Sequence, residues 1–216
     1  MVCAARRADR ITALADEIGG TAVPCDVTDP AAVARLAETV GDRCALLINN
    51  AGGALGLEPV ADADLAAWQT MYASNVLGAA AVTKAILPTL IANEGQVIFV
   101  TSTAADAGYE GGAGYCAAKA GERSVVESMR LELVDQPVRI AEVAPGMVRT
   151  DEFSLTRFGG DQERADKVYS GVAEPLLAED IADVIGYIAT RPPHVNLDRI
   201  TVRPRAQAAQ HKVHRA

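Results

Sequence analysis

The sequence predicts a single α/β domain in which a parallel sheet is covered by helices on both faces. Short apolar runs of strand length alternate with segments of helical period along nearly the whole chain, which is the pattern of repeated strand and helix units. The 216 residues are half hydrophobic with only 4% aromatic, enough for one such core and crowded for two. No repeat, low-complexity tract or linker divides residues 1–216.

Val2 to Ala5 reads as a first strand running into a helix from about Asp9 to Ile18, and TAVPCDV as a second strand ending at Asp26. Asp29 followed by Pro30 opens the next helix, the aspartate as N-cap and the proline at N1. The strand Ala45 to Ile48 leads to a long helix from about Ala63 to Ile91, where Pro88 is expected to kink or loosen the last turn. QVIFV is a buried strand, AGYCAAKAGERSVVESMRLELV a helix and VRIAEVA the strand after it. Residues 147–171 read as an irregular loop, followed by a helix from Glu179 to Thr190 and a last strand near Arg199 to Arg203. Residues 205–216, ending in HKVHRA, are expected to be a solvated, mobile tail.

Composition excludes several classes. A net charge of −8 and a pI near 4.9 argue against a nucleic-acid surface. The apolar runs are interrupted well before the roughly 20 residues of a bilayer span, so no membrane partner is expected. Cys3, Cys25, Cys44 and Cys116 lack CxxC spacing and no signal peptide precedes them, which fits reduced thiols and a cytoplasmic location. His194, His211 and His214 have no metal-ligand spacing, and no metal is expected.

The chemistry concentrates between Thr101 and Lys119. Tyr115 and Lys119 are four apart in a helical segment and leave it on one face, one turn from each other. A lysine ammonium close to a phenol favours the phenolate, so such a tyrosine can exchange a proton with a substrate oxygen. Ser102, at the end of QVIFV, can donate a hydrogen bond to the same oxygen as charge develops on it. Alone, Tyr-x-x-x-Lys would read as one surface pair on one helix.

Four motifs in one order change that reading: Asn49-Asn50-Ala51-Gly52 after a strand, Asn75 within SNVLG, Ser102 ahead of Tyr115-x-x-x-Lys119, and Pro145-Gly146 with Thr150 behind the next strand. In this the chain resembles the short-chain dehydrogenase/reductase family over nearly its whole length. NNAGGALGLEP, DEFSLTRFGGD and RPPHVNLDRITVRP resemble the NADP-dependent 3-hydroxy acid dehydrogenases, which act on serine-like acids. The resemblance implies a Rossmann-like doubly wound sheet and hydride transfer with NADP(H). Tyr115 would be the general acid/base, Ser102 the hydrogen-bond donor, Lys119 the partner of the tyrosine and the nicotinamide ribose, and Asn75 the anchor of a water leading to the lysine. Asparagine inside a helix costs about 0.5 to 0.7 kcal/mol against alanine, so packing alone does not account for Asn75.

For the cofactor, Arg6 and Arg7 follow the first strand, where an NAD-preferring relative would carry an acid; here that position is Ala5. Two cations at a helix start oppose its dipole unless an anion is present, and a 2'-phosphate would be that anion. Asp26 and Val27 resemble the adenine-contacting pair. Asn49, Ala51 and Gly52 let the backbone approach a ligand closely, and Pro145, Gly146, Val148 and Thr150 flank the expected nicotinamide. Arg149 and Arg157, in the segment expected to cover the site as the substrate loop, are candidates for holding a substrate carboxylate, since a guanidinium can do so bidentately.

A complete member of that family begins with a strand, a Gly-rich turn and a helix, and none of the 216 residues supplies them. Gly52-Gly53-Ala54-Leu55-Gly56 comes nearest but lacks the spacing. The expectation is an N-terminally truncated domain whose whole form has about 30 more residues, as an internal start codon would leave it; the rival is an inactive fragment. The activity implied is an NADP-dependent oxidoreductase of small hydroxy or keto acids. Alternatives are a broader carbonyl or sugar-alcohol reductase and a non-catalytic binding or assembly partner. A homotetramer or homodimer joined through the two long helices is implied by the resemblance.

Overall fold

The computed structural model describes residues 1–216. Its elements alternate as the sequence pattern requires: β1 (Val2–Ala5), α1 (Ala8–Ile18), β2 (Thr21–Pro24), α2 (Pro30–Val40), β3 (Leu46–Asn49), α3 (Leu65–Tyr72), α4 (Ala79–Ala92), β4 (Gln96–Val100), α5 (Ala113–Glu132), β5 (Arg139–Pro145), α6 (Phe153–Arg157), α7 (Gln162–Lys167), α8 (Ala178–Ala189) and β6 (Arg199–Val202), closed by the short strands β7 (Gln207–Ala209) and β8 (Lys212–Val213). Asp29 caps α2 by accepting a bond from the Ala31 N–H at 2.9 Å, with Pro30 at the first helical position.

Strands β3, β4, β5 and β6 form a parallel sheet in that order, with Ile48 beside Ile98 and Val97 beside Ile140. Side chains of β4 alternate between faces. Val97 and Phe99 join Leu36, Val82, Ile86, Leu90 and Val126, while Ile98 joins Ala141, Val143, Ile181 and Ile188 on the other side. Phe99 is wholly buried, which stabilises the fold by about 1.5 to 3 kcal/mol.

Strands β1 and β2 pair only with each other. No ladder joins β1 to β3, whereas the doubly wound order 3-2-1-4-5-6 holds one more strand between these two positions. The cost is visible on β3: Leu46 and Ile48 remain 39% and 42% exposed, while β4, flanked on both sides, buries its centre completely.

The long helix is present as the continuous stretch Leu65–Ala92, with Ala73–Gly78 between α3 and α4 a π-helical turn, and two other expectations are corrected. Ser74 Oγ bonds back to the Thr70 carbonyl and Asn75 Nδ2 to that of Met71, so side chains compete with the i to i−4 ladder and the turn widens. The helical stretch Leu65–Ala92 is, by length and composition, long and apolar enough to cross a bilayer, but 44% of its apolar window is buried in the protein. Residues 147–171 contain α6 and α7, the latter capped by Asp161. Residues 205–216 are not a free tail. They form the β7–β8 hairpin, the buried Gln207 accepts from the Met147 N–H at 2.8 Å, Gln210 accepts from Thr103 Oγ1 at 2.5 Å, and the Ala216 N–H bonds the Gly171 carbonyl. Their polar composition suggested solvation, and Arg205, His211, Lys212 and His214 are indeed exposed, but Gln207, Gln210 and Arg215 bond the neighbouring loops.

Candidate active site

Ser102 leaves the end of β4 in extended conformation and caps a short 3-10 turn, its Oγ accepting from the Ala104 N–H at 3.1 Å and donating to the Pro145 carbonyl at 3.4 Å. It thereby ties the end of β4 to the end of β5. Tyr115 and Lys119 lie on the buried face of α5, and Lys119 Nζ reaches the carbonyl of Val100, two residues before Ser102, at 3.1 Å. Helix α5 comes close to α3 only because Gly114 has no side chain: a Cβ there would stand 2.6 Å from Trp68 and 2.8 Å from Met71.

The loop after β3 is held from the π-helical turn. Asn75, fully buried, donates from Nδ2 to the Gly53 carbonyl at 3.0 Å and accepts at Oδ1 from the Gly53 N–H at 3.2 Å. Gly52 has φ 152°, and a Cβ on it would fall 2.3 Å from Asn75 Oδ1. Asn49 points elsewhere, its amide donating to Thr83 Oγ1 at 2.7 Å inside the core; Ala51 stays exposed on the loop.

The segment after β5 covers the tyrosine. Phe153 meets the Tyr115 ring edge-on at 5.9 Å and 67°. The Arg157 guanidinium lies 6.0 Å from the Tyr115 ring centre and 5.5 Å from that of Tyr109, within cation–π range. Arg157 Nε donates to the Gly56 carbonyl at 2.8 Å, but its Nη2 is buried with no protein partner. Burial pushes the Tyr109 phenol up, against the pull of Arg157, and burial also raises the Cys116 thiol, which suits a packed and unreactive cysteine. Arg149 does not join this group: it is exposed and stacks on Tyr169 at 5.8 Å.

At the far end of the cleft, Asp26 accepts from the Thr28 N–H at 2.9 Å and Thr28 Oγ1 at 2.7 Å, bonds that hold its carboxyl below its usual range, helped by the charge of Arg6. Val27 packs against Gly78. Arg7 is engaged: its Nη1 donates to Glu152 Oε1 at 2.6 Å, its Nη2 reaches Oε2, and Arg10 joins the same carboxylate. The hydrogen bond from Arg7 raises that guanidinium and lowers Glu152. Gly146 sits against Gln207, Val148 accepts from the Tyr169 hydroxyl at 2.8 Å, and Thr150 Oγ1 accepts from the Phe153 N–H at 3.3 Å.

Sequence reasoning missed Glu122, Glu152 and Phe153. Glu122 carried a signal, an acid three residues after Lys119 on the stripe facing the sheet. Glu152 carried none, since it meets Arg7 across 145 residues.

A parallel α/β sheet with Ser102 beyond the carboxyl end of β4, and Tyr115 and Lys119 on the helix packed beside it, gathers these groups on the side where doubly wound enzymes bind their ligands. The short chain dehydrogenase profile matches residues 1–157. An uncharacterized oxidoreductase of Mycobacterium tuberculosis is 57% identical over 210 residues, 97% of this chain and 82% of that protein. A serine 3-dehydrogenase of Rhizobium radiobacter is 40% identical, covering 92% and 81%. The solved closed form of serine dehydrogenase complexed with NADP+ superposes with a TM-score of 0.92 at 34% identity, over 100% of this chain and 89% of that one. The chain belongs to the short-chain dehydrogenase family and is an oxidoreductase of that family.

Proposed function

We propose that this chain is an NADP-dependent enzyme that interconverts a small 3-hydroxy acid, serine-like in size, with its keto form. The observation that carries the substrate class is Arg157: a buried guanidinium nitrogen without a protein partner, beside the ring of Tyr115, is a seat for a carboxylate. Names of similar proteins, serine 3-dehydrogenase among them, support the same class.

Arg7 and Arg10 are held by Glu152, so a 2'-phosphate would have to take the place of that carboxylate on the two guanidinium groups, with the exposed Arg6 beside them. Asp26 and Val27 would border the adenine, Asn49 to Gly52 the middle of the cleft, and Pro145, Gly146, Val148 and Thr150 the nicotinamide. The bound cofactor supplies or accepts the hydride. Tyr115 gives a proton to the substrate oxygen in reduction and takes it in oxidation, while Ser102 donates a hydrogen bond to that oxygen. Lys119 keeps a positive charge near the phenol, and Asn75 fixes the loop that borders the cofactor. Phe153 and the segment around it exclude water.

The space between β1 and β3 belongs to this reading. We infer that turnover requires a strand, a Gly-rich turn and a helix in that slot, because the turn would supply the pyrophosphate site. The open slot favours a second reading, a non-catalytic partner, for the 216 residues alone. We also assign this protein to the cytoplasm, in keeping with its free cysteines, and to a homodimer or homotetramer through α3 and α5, where Leu65, Tyr72 and Leu131 are exposed.

NADPH binding to the 216 residues, with and without such a segment supplied, separates the readings; binding in neither form overturns the enzyme. Serine, allo-threonine and 3-hydroxypropionate are then compared with simple ketones. Tyr115→Phe should abolish turnover and spare NADPH binding, and retained turnover refutes the proton-transfer role. Arg157→Leu should raise KM for the acids and leave ketones unchanged; equal effects on both remove the carboxylate seat.

A further inference from the structure

Tyr115, Lys119 and Glu122 occupy one stripe of α5, four and three residues apart, and all three are buried. Lys119 and Glu122 side chains are 5% and 2% exposed, and Nζ lies 2.7 Å from Glu122 Oε2. An ammonium has three donors and no acceptor. One goes to Glu122 and one to the Val100 carbonyl, which leaves one direction open. An unpaired ammonium in such a place is costly, and breaking a buried pair from one side leaves an uncompensated charge.

We propose that Glu122 is the positioning residue of the site: its carboxylate is the counter-charge that keeps Lys119 an ammonium away from solvent and, with Val100, sets the direction of its remaining N–H. This rests on the reading of Tyr115 and Lys119 as the proton-transfer pair. The charged surroundings are few. On α5 the partner of Glu122 is Lys119, β4 contributes the Val100 carbonyl, and the residue after it, Thr101, contributes a hydroxyl. From β5 comes Glu142, fully buried, whose Oε1 accepts from Thr101 Oγ1 at 2.6 Å and lies 3.2 Å from Arg199 Nε on β6. Arg199 continues to Asp106, which also holds Arg123. Arg199 is thus engaged by Glu142 and Asp106, and the cation that Glu122 meets is Lys119. Burial pushes the Glu122 carboxyl up, Glu142 adds to this, and Lys119 opposes both. Lys119 thus favours the charged form of Glu122 against its burial.

The test is nitrogen-15 NMR of the lysine Nζ groups in the full 216-residue chain, where Lys84, Lys119, Lys167 and Lys212 are the lysines and Lys119→Arg assigns the signal. In Glu122→Gln, Lys119 Nζ should lose its proton at a pH at least about one unit below the parent, a tenfold change, and Glu122→Asp should recover part of it. Glu122→Met, similar in volume, covers failure of the glutamine variant to fold. In the parent itself, the Glu122 carboxyl carbon and Lys119 Nζ should each respond to both titration steps. Unchanged proton loss in the folded variants, or independent titrations in the parent, overturns the proposal. Where turnover is measurable, the alkaline limb of kcat/KM for reduction should move down with Nζ in Glu122→Gln. The NMR arm needs no turnover, so its failure is distinct from a failure of the Tyr115 reading, which Tyr115→Phe decides.

Discussion

Asn75 and Gly52 form a pair whose coupling can be worked out from their geometry. Replacing Asn75 with alanine removes two bonds to Gly53 and one to the Met71 carbonyl from a fully buried position. At about 1 kcal/mol for each net bond, the loss is roughly 2 to 3 kcal/mol. Gly52→Ala places a Cβ 2.3 Å from Asn75 Oδ1 at a residue with φ 152°, an overpacked and strained change costing about 1 to 3 kcal/mol. Asn75→Ala takes away the very oxygen that the new Cβ of Gly52→Ala would strike. The double variant should therefore be less unstable than the sum of the singles by about 1 kcal/mol or more, whereas independent sites add within about 0.3 to 0.5 kcal/mol. Urea unfolding of the four proteins, with midpoints and slopes fitted together, measures this. Additivity within that margin would refute the claim that Asn75 clamps the loop.

Acid should loosen the segment after β5. Glu152 is held below its ordinary value of 4.5 by Arg7 and Arg10, so its contribution is present above that pH and lost as pH falls through the folded value; melting curves from pH 6 to 3 should fall more steeply for the parent than for Glu152→Gln, and high salt should narrow the difference. Equal slopes would dismiss the pair as a stabilising contact. Gly114→Val should cost about 1 to 3 kcal/mol by driving α5 from Trp68 and Met71, and an unchanged denaturation midpoint would show that the helices do not meet there. Arg6→Asp should shift cofactor preference toward NAD in competitive binding; no shift removes the 2'-phosphate argument.

The layered sheet was legible because burial writes itself into periodicity: QVIFV has no polar residue after its first position and becomes a strand buried at every position but the last, and Asp29-Pro30 marks a helix start by local chemistry alone. Asn75 stood out as a polar residue in an apolar helix, although its answer, a π-helical turn clamping Gly53, depends on a loop more than 20 residues away. Glu152 with Arg7 and Gln207 with Met147 were not legible, since polar side chains have no period and their partners are chosen by the tertiary fold. The hairpin of residues 205–216 failed for that reason: its polar groups bond loops that only the folded chain brings near.

The open side of β3 also governs how the protein must be handled. Leu46, Leu47 and Ile48 line a strand with unpaired backbone on one side, and such an edge is a template for any other extended chain. An edge of this kind should make solution lifetime fall with concentration, which light scattering across a dilution series would show. Short, charged or proline-bearing peptides that pair with β3 would then act as solubilisers.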